Sequence, residues 1–298
     1  MTPRAAVRAA ARSSPLALAG DLAALAKPRL LGLVVCTAAG GAWLAPGGLD
    51  LGRALALLLG TSAVVGGANA LNEWLERDVD ARMRRTCGRP LPAGRLEPWV
   101  AVALGFALPG VALPALAWTV NGLTATLAAL ALFLYAVVYT PLKRVTPAAL
   151  FVGAIPGAIP PLMGWTGVTG RVDAGGLALF GVLFFWQLPH FLAVSIYLKD
   201  DYARGGLKVF ALARGERAAV RWAVATSALL VPVTLLPVPL GLAGPAYGAA
   251  AAALGAGLVA WAATGLRTPS IARWARGFFL STLAYLTLLL AALFTWAR

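Results

Sequence analysis

The chain has 298 residues, of which 60% are hydrophobic and only 12% are charged. A soluble domain carries about 25% charged residues, so this composition excludes an ordinary water-soluble fold and leaves a polytopic membrane protein, with no stretch long enough for a separate soluble domain. The formal net charge of +14 suggests nucleic acid at first sight, but the basic residues are gathered in the short loops between apolar runs, so no nucleic-acid partner is expected and the partner of that charge is the lipid bilayer. The two cysteines, Cys36 in an apolar run and Cys87 in a basic loop, provide neither a disulfide framework nor metal-ligand spacing.

In chain order, residues 1–28 read as a basic N-terminal arm, with Arg4, Arg8 and Arg12 at helical spacing and no acid before Asp21. An Arg-rich, acid-poor transit peptide is one reading; an arm resting on anionic lipid is the one preferred here. Residues 29–298 read as one transmembrane domain. Apolar runs of roughly 18–22 residues predict nine spans, at 29–46, 52–75, 98–118, 121–140, 147–166, 177–197, 219–240, 244–265 and 276–297. The fold expected is all-α: nine transmembrane helices around a central cavity, with the active site at the cytoplasmic face. Placing the N-terminus and the loops after spans two, four, six and eight on one side gives that side every one of the 25 basic residues except Arg53, Arg171 and Arg298. Positive residues stay inside, so the N-terminus and these loops face the cytoplasm of a bacterial cytoplasmic membrane, or the matrix in a mitochondrial inner membrane.

The densest charge cluster follows span two, NEWLERDVDARMRRTCGRPLPAGR (72–95), and starts inside an apolar run. Carboxylates at the end of a membrane helix are costly and point to function. Asn72, Glu76 and Asp80 are spaced i, i+4, i+8; at about 100° per residue they drift by only about 80° and share a helix face. Asp78 points away from it, and Glu73 is left out of the chemistry. A second acidic pair, Asp200–Asp201, follows span six among Lys199, Arg204 and Lys208. The offset of four helices suggests two four-helix halves plus a ninth helix, with the two acidic clusters opposite each other across the cavity. Mg²⁺ binds through one or two carboxylates completed by substrate phosphates, so two facing clusters suit a metal diphosphate, with arginines and the Lys143–Arg144 pair neutralising the remaining charge. A solvated helix cap with local salt bridges is the alternative for such a loop.

Four stretches then carry a family resemblance: NEWLERDVDARMRRTCGRP, YTPLKRVTP (139–147), GAIPGAIPPLMGW (153–165) and FWQLPHFLAVSIYLKDDYARGG (185–206). The first resembles the N-x-x-x-D-x-x-x-D motif of the intramembrane aromatic prenyltransferase superfamily. The four in order, over about residues 25–295, resemble the protohaem IX farnesyltransferases (haem O synthases). The resemblance implies farnesyl diphosphate and haem B as substrates, Mg²⁺ as cofactor, and haem A synthase or cytochrome oxidase assembly factors as protein partners. It implies metal–diphosphate roles for Asn72, Glu76, Asp80, Asp200 and Asp201, and phosphate contacts for Arg85, Arg89, Lys143 and Arg144. Three positions depart from the family pattern: Glu76 stands where Asp is usual, Ala149 where many relatives have an amide, and LKVFAL after Gly206 where a Pro-Met-Leu-Pro run is common. Trp186, Tyr135 and Tyr139 are candidates to face an allylic cation, against simple packing. His190, the single histidine, is a candidate to orient or ligate haem iron, against a hydrogen-bonded core residue, and Gln187, one turn away, could hydrogen-bond substrate. Two readings compete: a prenyltransferase acting on a quinone or phenol precursor, and a proton-coupled membrane transporter, which predicts acids buried at mid-membrane in both halves.

Overall fold

The computed structural model describes residues 14–297; Arg4, Arg8, Arg12 and Arg298 lie outside the described residues. Prolines mark the start of several helices, where their missing N–H costs nothing. α1 (Pro15–Leu25) and α2 (Pro28–Leu44) are bent by 52° against each other. Then come α3 (Leu51–Asp80), α4 (Pro98–Thr119), α5 (Gly122–Leu142), α6 (Ala149–Thr169) and α7 (Ala174–Tyr197). Two short helices, α8 (Lys199–Gly205) and α9 (Phe210–Arg214), lead to α10 (Glu216–Leu235), α11 (Pro245–Thr264) and α12 (Ile271–Thr295). Among the described residues eight of these are long and apolar enough to cross a membrane, or nine if the bent α1–α2 pair forms one span. The chain is an integral membrane protein, and the nine predicted spans each coincide with one of these helices. The largest boundary differences are five residues: α3, expected to end at 75, is helical to Asp80, α10, expected to end at 240, stops at Leu235, and α12, expected to start at 276, starts at Ile271; the first of these bears on the site. The last turn of α3 is kept helical by packing, since Val79 is buried against Met83 and Leu207.

The helices form two groups that meet at α6 and α7. In the first, α2, α3, α4, α5 and α6 follow one another around a ring. In the second, α7, α10, α11 and α12 close on themselves. Small residues let backbones approach within each group. A Cβ on Gly41 of α2 would fall on the Pro161 carbonyl of α6, and one on Gly164 of α6 would fall on the Ala38 carbonyl of α2. The second group is filled by side chains, among them Leu230, Tyr247, Trp274, Phe278 and Leu289, all buried. The first group is hollow.

Of the arm, residues 14–28 are described. α1 packs Leu22 and Leu25 against Ala70, Leu91, Leu96 and Ala101. Asp21 accepts from Arg95 at 3.0 Å. The chain turns at Lys27, the one non-glycine residue with positive φ (52°) among the described residues. The Asn69 side chain holds that turn by donating to the Ala26 carbonyl at 3.0 Å.

Candidate active site

The first group of helices surrounds a cavity of about 360 Å³ lined by α2, α3, α5, α6, α7 and the loops at one membrane face. Its walls are mostly aliphatic, and its charged groups sit at one end. There Asn72, Glu76 and Asp80 line it together, as their common helix face requires, and all three are buried. Burial obliges each to find partners. Asn72 accepts from Lys27 Nζ at 2.7 Å and donates to Glu76 Oε2 at 2.8 Å and Thr140 Oγ1 at 3.1 Å. Glu76 Oε1 lies 2.6 Å from Lys143 Nζ, an ion pair whose alignment is not that of a hydrogen bond. Asp80 accepts from Arg89 Nη1 at 2.7 Å.

Two further charged groups lie beside this cluster. Glu73 is 1% exposed and lies 3.7 Å from Arg89 Nε; among the described residues its Oε2 has no hydrogen-bond partner, and it stands behind the cavity lining rather than in it. The signal was present in the spacing: Glu73 and Asp80 are seven residues apart, which leaves them only about 20° apart around the helix. Lys27 is the other. It sits in the expected arm, and only the α1–α2 bend delivers its ammonium to Asn72.

Tyr135 and Tyr139 both line the cavity. They come from a π-helical stretch, Phe133–Tyr139, inside α5. Such stretches often mark functional sites. Its cause is local: Pro141 has no N–H for the preceding turn, and the Thr140 hydroxyl donates to the Tyr135 carbonyl at 2.7 Å. The Lys143 ammonium stands 4.8 Å from the Tyr139 ring centre. Burial pushes its pKa down, but Tyr139, Glu76 and Tyr135 more than offset this and the net shift is upward. The ammonium therefore stays charged at neutral pH. Arg85 and Arg89 reach the cavity from the loop after α3.

Other predicted residues sit elsewhere. Arg144 pairs with Asp78 at 2.8 Å and donates to the Leu75 carbonyl at 2.6 Å, on the outer side of α3 and outside the cavity lining. The second acidic pair does not face the first across open space, as expected. Asp201 accepts from the backbone N–H of Arg84 (2.8 Å) and Arg85 (3.2 Å) and from the Arg204 side chain (2.5 Å). Burial acts to raise the Asp201 pKa, but these donors outweigh it and hold the carboxyl below its usual range. Asp200 beside it is exposed. The two acidic loops thus touch, and the second fixes the backbone of the first. Gln187 lines the cavity, whereas Trp186 and His190 turn toward α12. Trp186 donates to the Thr282 carbonyl at 2.7 Å. His190 Nδ1 lies 2.8 Å from Thr282 Oγ1, and that hydroxyl donates its proton to the Phe279 carbonyl at 2.6 Å. Nδ1 is therefore the donor, and in the neutral ring Nε2 keeps a lone pair.

The donor set can be tested against a metal. Among the described residues no three carboxylate, His or Cys side chains converge on one point. The described residues therefore form no complete cage. Oxygen-only ligands, a buried carboxylate oxygen without a partner and abundant cations for phosphate nevertheless fit Mg²⁺, which is usually held jointly by protein carboxylates and substrate phosphates.

Residues 33–296 match the model of the UbiA prenyltransferase family. The chain belongs to this family. Among UbiA relatives it is similar to "Protoheme IX farnesyltransferase" of Anaeromyxobacter sp. (strain Fw109-5), 61% identical over 97% of this chain and 98% of that one. Two solved UbiA-fold structures share its architecture. One is from work on a digeranylgeranylglyceryl phosphate synthase, with TM-score 0.79 and 15% identity over 92% of this chain and 96% of that one. The other is a UbiA homologue from Archaeoglobus fulgidus bound to GPP and Mg²⁺, with TM-score 0.63 and 16% identity over 92% and 99%. The family assignment makes the chain a prenyltransferase, and the cavity is the candidate site of prenyl transfer.

Proposed function

We propose that this chain transfers a farnesyl group from farnesyl diphosphate to the 2-vinyl group of protohaem IX (haem B), with addition of water, to give haem O and diphosphate, and that the transfer depends on Mg²⁺. The observation that carries the proposal is the shape and charge of one cavity: an aliphatic tunnel for a prenyl chain, closed at one end by a charged diphosphate clamp. The name of the 61%-identical relative directs the choice of acceptor, and the Mg²⁺ bound in the A. fulgidus homologue supports the metal. The charged end lies on the side where basic loops concentrate, and that asymmetry supports reading it as the cytoplasmic face with the N-terminus inside.

Asn72, Glu76 and Asp80 hold the metal in this reading. Mg²⁺ supplies Lewis-acid stabilisation of the departing diphosphate. Arg85, Arg89 and Lys143 bind the remaining phosphate charge, and Lys27 can join them once substrate displaces its contact with Asn72. The second acidic site contributes through Asp201, which fixes the Arg84–Arg85 backbone, while Asp200 stays exposed outside the cavity lining. Ionisation of the C1–O bond leaves an allylic cation on the farnesyl chain, facing Tyr135 and Tyr139, whose ring faces favour positive charge. The vinyl π pair of haem then attacks C1. His190 and Trp186 face α12 outside the cavity lining, Trp186 stacked on the His190 ring at 4.9 Å, so in this reading they pack α7 against α12 and no contact with haem is assigned to them.

The test incubates purified protein with haem B, farnesyl diphosphate and Mg²⁺ and seeks the hydroxyethylfarnesyl product by mass spectrometry. Product that disappears without Mg²⁺ is expected. Transfer to a phenol or quinone precursor in place of haem overturns the assignment.

A further inference from the structure

Gln187 is the uncommitted acceptor in the aliphatic part of the cavity. It is 6% exposed and lies in the cavity wall. Its Nε2 donates to the Ala154 carbonyl at 3.1 Å and the Leu183 carbonyl at 3.0 Å. Both neighbours are pure acceptors, so the atom between them must be the nitrogen, and the orientation of the amide is fixed. Its Oε1 then points at Gly157 of α6, where a Cβ would collide with it. Among the described residues no hydrogen bond to Oε1 is made. In the cavity wall, an amide oxygen with no protein donor can accept a hydrogen bond from a small molecule bound there.

Its depth is defined by its neighbours. Glu76 pairs with Lys143, Lys143 stands over Tyr139, and Tyr139 packs on Gly153. Gly157 follows Gly153 by one helical turn, about 6 Å further in. Gln187 thus lies one turn beyond the diphosphate clamp, alongside the first carbons of a prenyl chain held there. The cavity lining includes the apolar residues Val64, Ala68, Ala131, Leu132, Pro156 and Met163.

We propose that Gln187 Oε1 holds the water that is added to the haem vinyl group. This rests on the haem reading given above. Neither substrate can make that hydrogen bond: a farnesyl chain has no donor, the pyrrole nitrogens of haem carry iron in place of protons, and its propionates accept at neutral pH. Water is the reactant that can donate. The vinyl π pair forms a C–C bond to farnesyl C1, and the C1–O bond to diphosphate breaks. The cation moves to the vinyl carbon next to the macrocycle. A water lone pair closes on that carbon to form the C–O bond, while one water O–H points at Gln187 Oε1. The water's other proton leaves to the departed diphosphate, which is a base where a neutral amide is not. Gln187 is therefore a water-positioning residue.

The test compares Gln187→Met and Gln187→Glu with the wild type, using haem B, farnesyl diphosphate and Mg²⁺. Mass spectrometry reads the ratio of hydroxylated product to product one water lighter, formed when the cation loses a proton. Gln187→Met, similar in shape but without the acceptor, is expected to shift that ratio at least tenfold toward the dehydrated product. Gln187→Glu, whose neutral carboxyl keeps an O–H donor for those carbonyls and an acceptor oxygen for the water, is expected to restore the hydroxylated product, read at a pH low enough to keep it neutral. An unchanged ratio in Gln187→Met overturns the proposal. So does loss of all turnover in both variants, because the side chain then serves folding or substrate binding. A wild type that gives no haem product condemns the haem reading, whereas a wild type that gives it with an unmoved variant ratio condemns only the role of Gln187.

Discussion

The two groups of helices are built from the same apolar alphabet and do opposite things with it. The second group closes its interior with Trp274 stacked on Phe278 at 5.0 Å and with Tyr247 and Leu230 around them. The first leaves its centre empty and spends buried polar groups on one rim. Glu73, Asn72, Glu76 and Asp80 are each at most 5% exposed there, which is tolerable only because Lys27, Arg89 and Lys143 answer them. The same contrast holds between the acidic loops: Asp80 and Glu76 meet cations that line the cavity, whereas Asp201 is consumed by backbone N–H groups. Packing in one half and pre-organised charge in the other means that damage to each should be readable separately.

The largest effect is expected from Asp80→Ala. It removes the partner of Arg89 and a metal-facing oxygen, and turnover should fall on the order of 100- to 1,000-fold, with membrane insertion intact. Near-wild-type turnover in product-formation assays sinks the metal-site assignment. Phe278→Ala breaks the solid half. It should cost about 3–5 kcal/mol of stability, seen as a lower thermal midpoint in detergent, with KM for both substrates unchanged; a selective rise in KM contradicts the separation of the halves.

Asp201→Asn sharpens the contrast by pH. The folded pKa of Asp201 is depressed, so its charged form stabilises the fold above the unfolded carboxyl pKa of about 3.9 and that contribution is lost as pH falls through the folded value. The stability gap between wild type and Asp201→Asn should therefore be full at pH 7 and close as acid is added below about pH 4. A gap that is constant across this range refutes the assignment. Arg144→Ala is the smallest change. Its pair with Asp78 is exposed on both sides, so stability and turnover should each move by less than about 1 kcal/mol. A larger loss of turnover would return Arg144 to the diphosphate clamp.

The membrane-crossing helices were readable because each is a long apolar run, and the cavity face of α3 because Asn72, Glu76 and Asp80 obey helical spacing. Glu73 was readable by the same arithmetic through its seven-residue offset from Asp80. What the spacing could not convey was contact between distant segments. The reach of Lys27 depends on a backbone bend at a single left-handed residue, and the direction of Asp201 depends on where the loop carrying Arg84 and Arg85 returns. Nor does helical periodicity tell which of two apolar neighbours a face will meet, so Gln187 turns to α6 and His190 to α12 from within one turn of α7.

Calorimetric titration of inorganic diphosphate with Mg²⁺ into the wild type, Asp80→Ala and Asp201→Asn tests the central assignment most directly. Mg²⁺-dependent binding should be present in the wild type, lost in Asp80→Ala and retained, at reduced affinity, in Asp201→Asn. Binding that survives in Asp80→Ala and vanishes in Asp201→Asn would contradict the account.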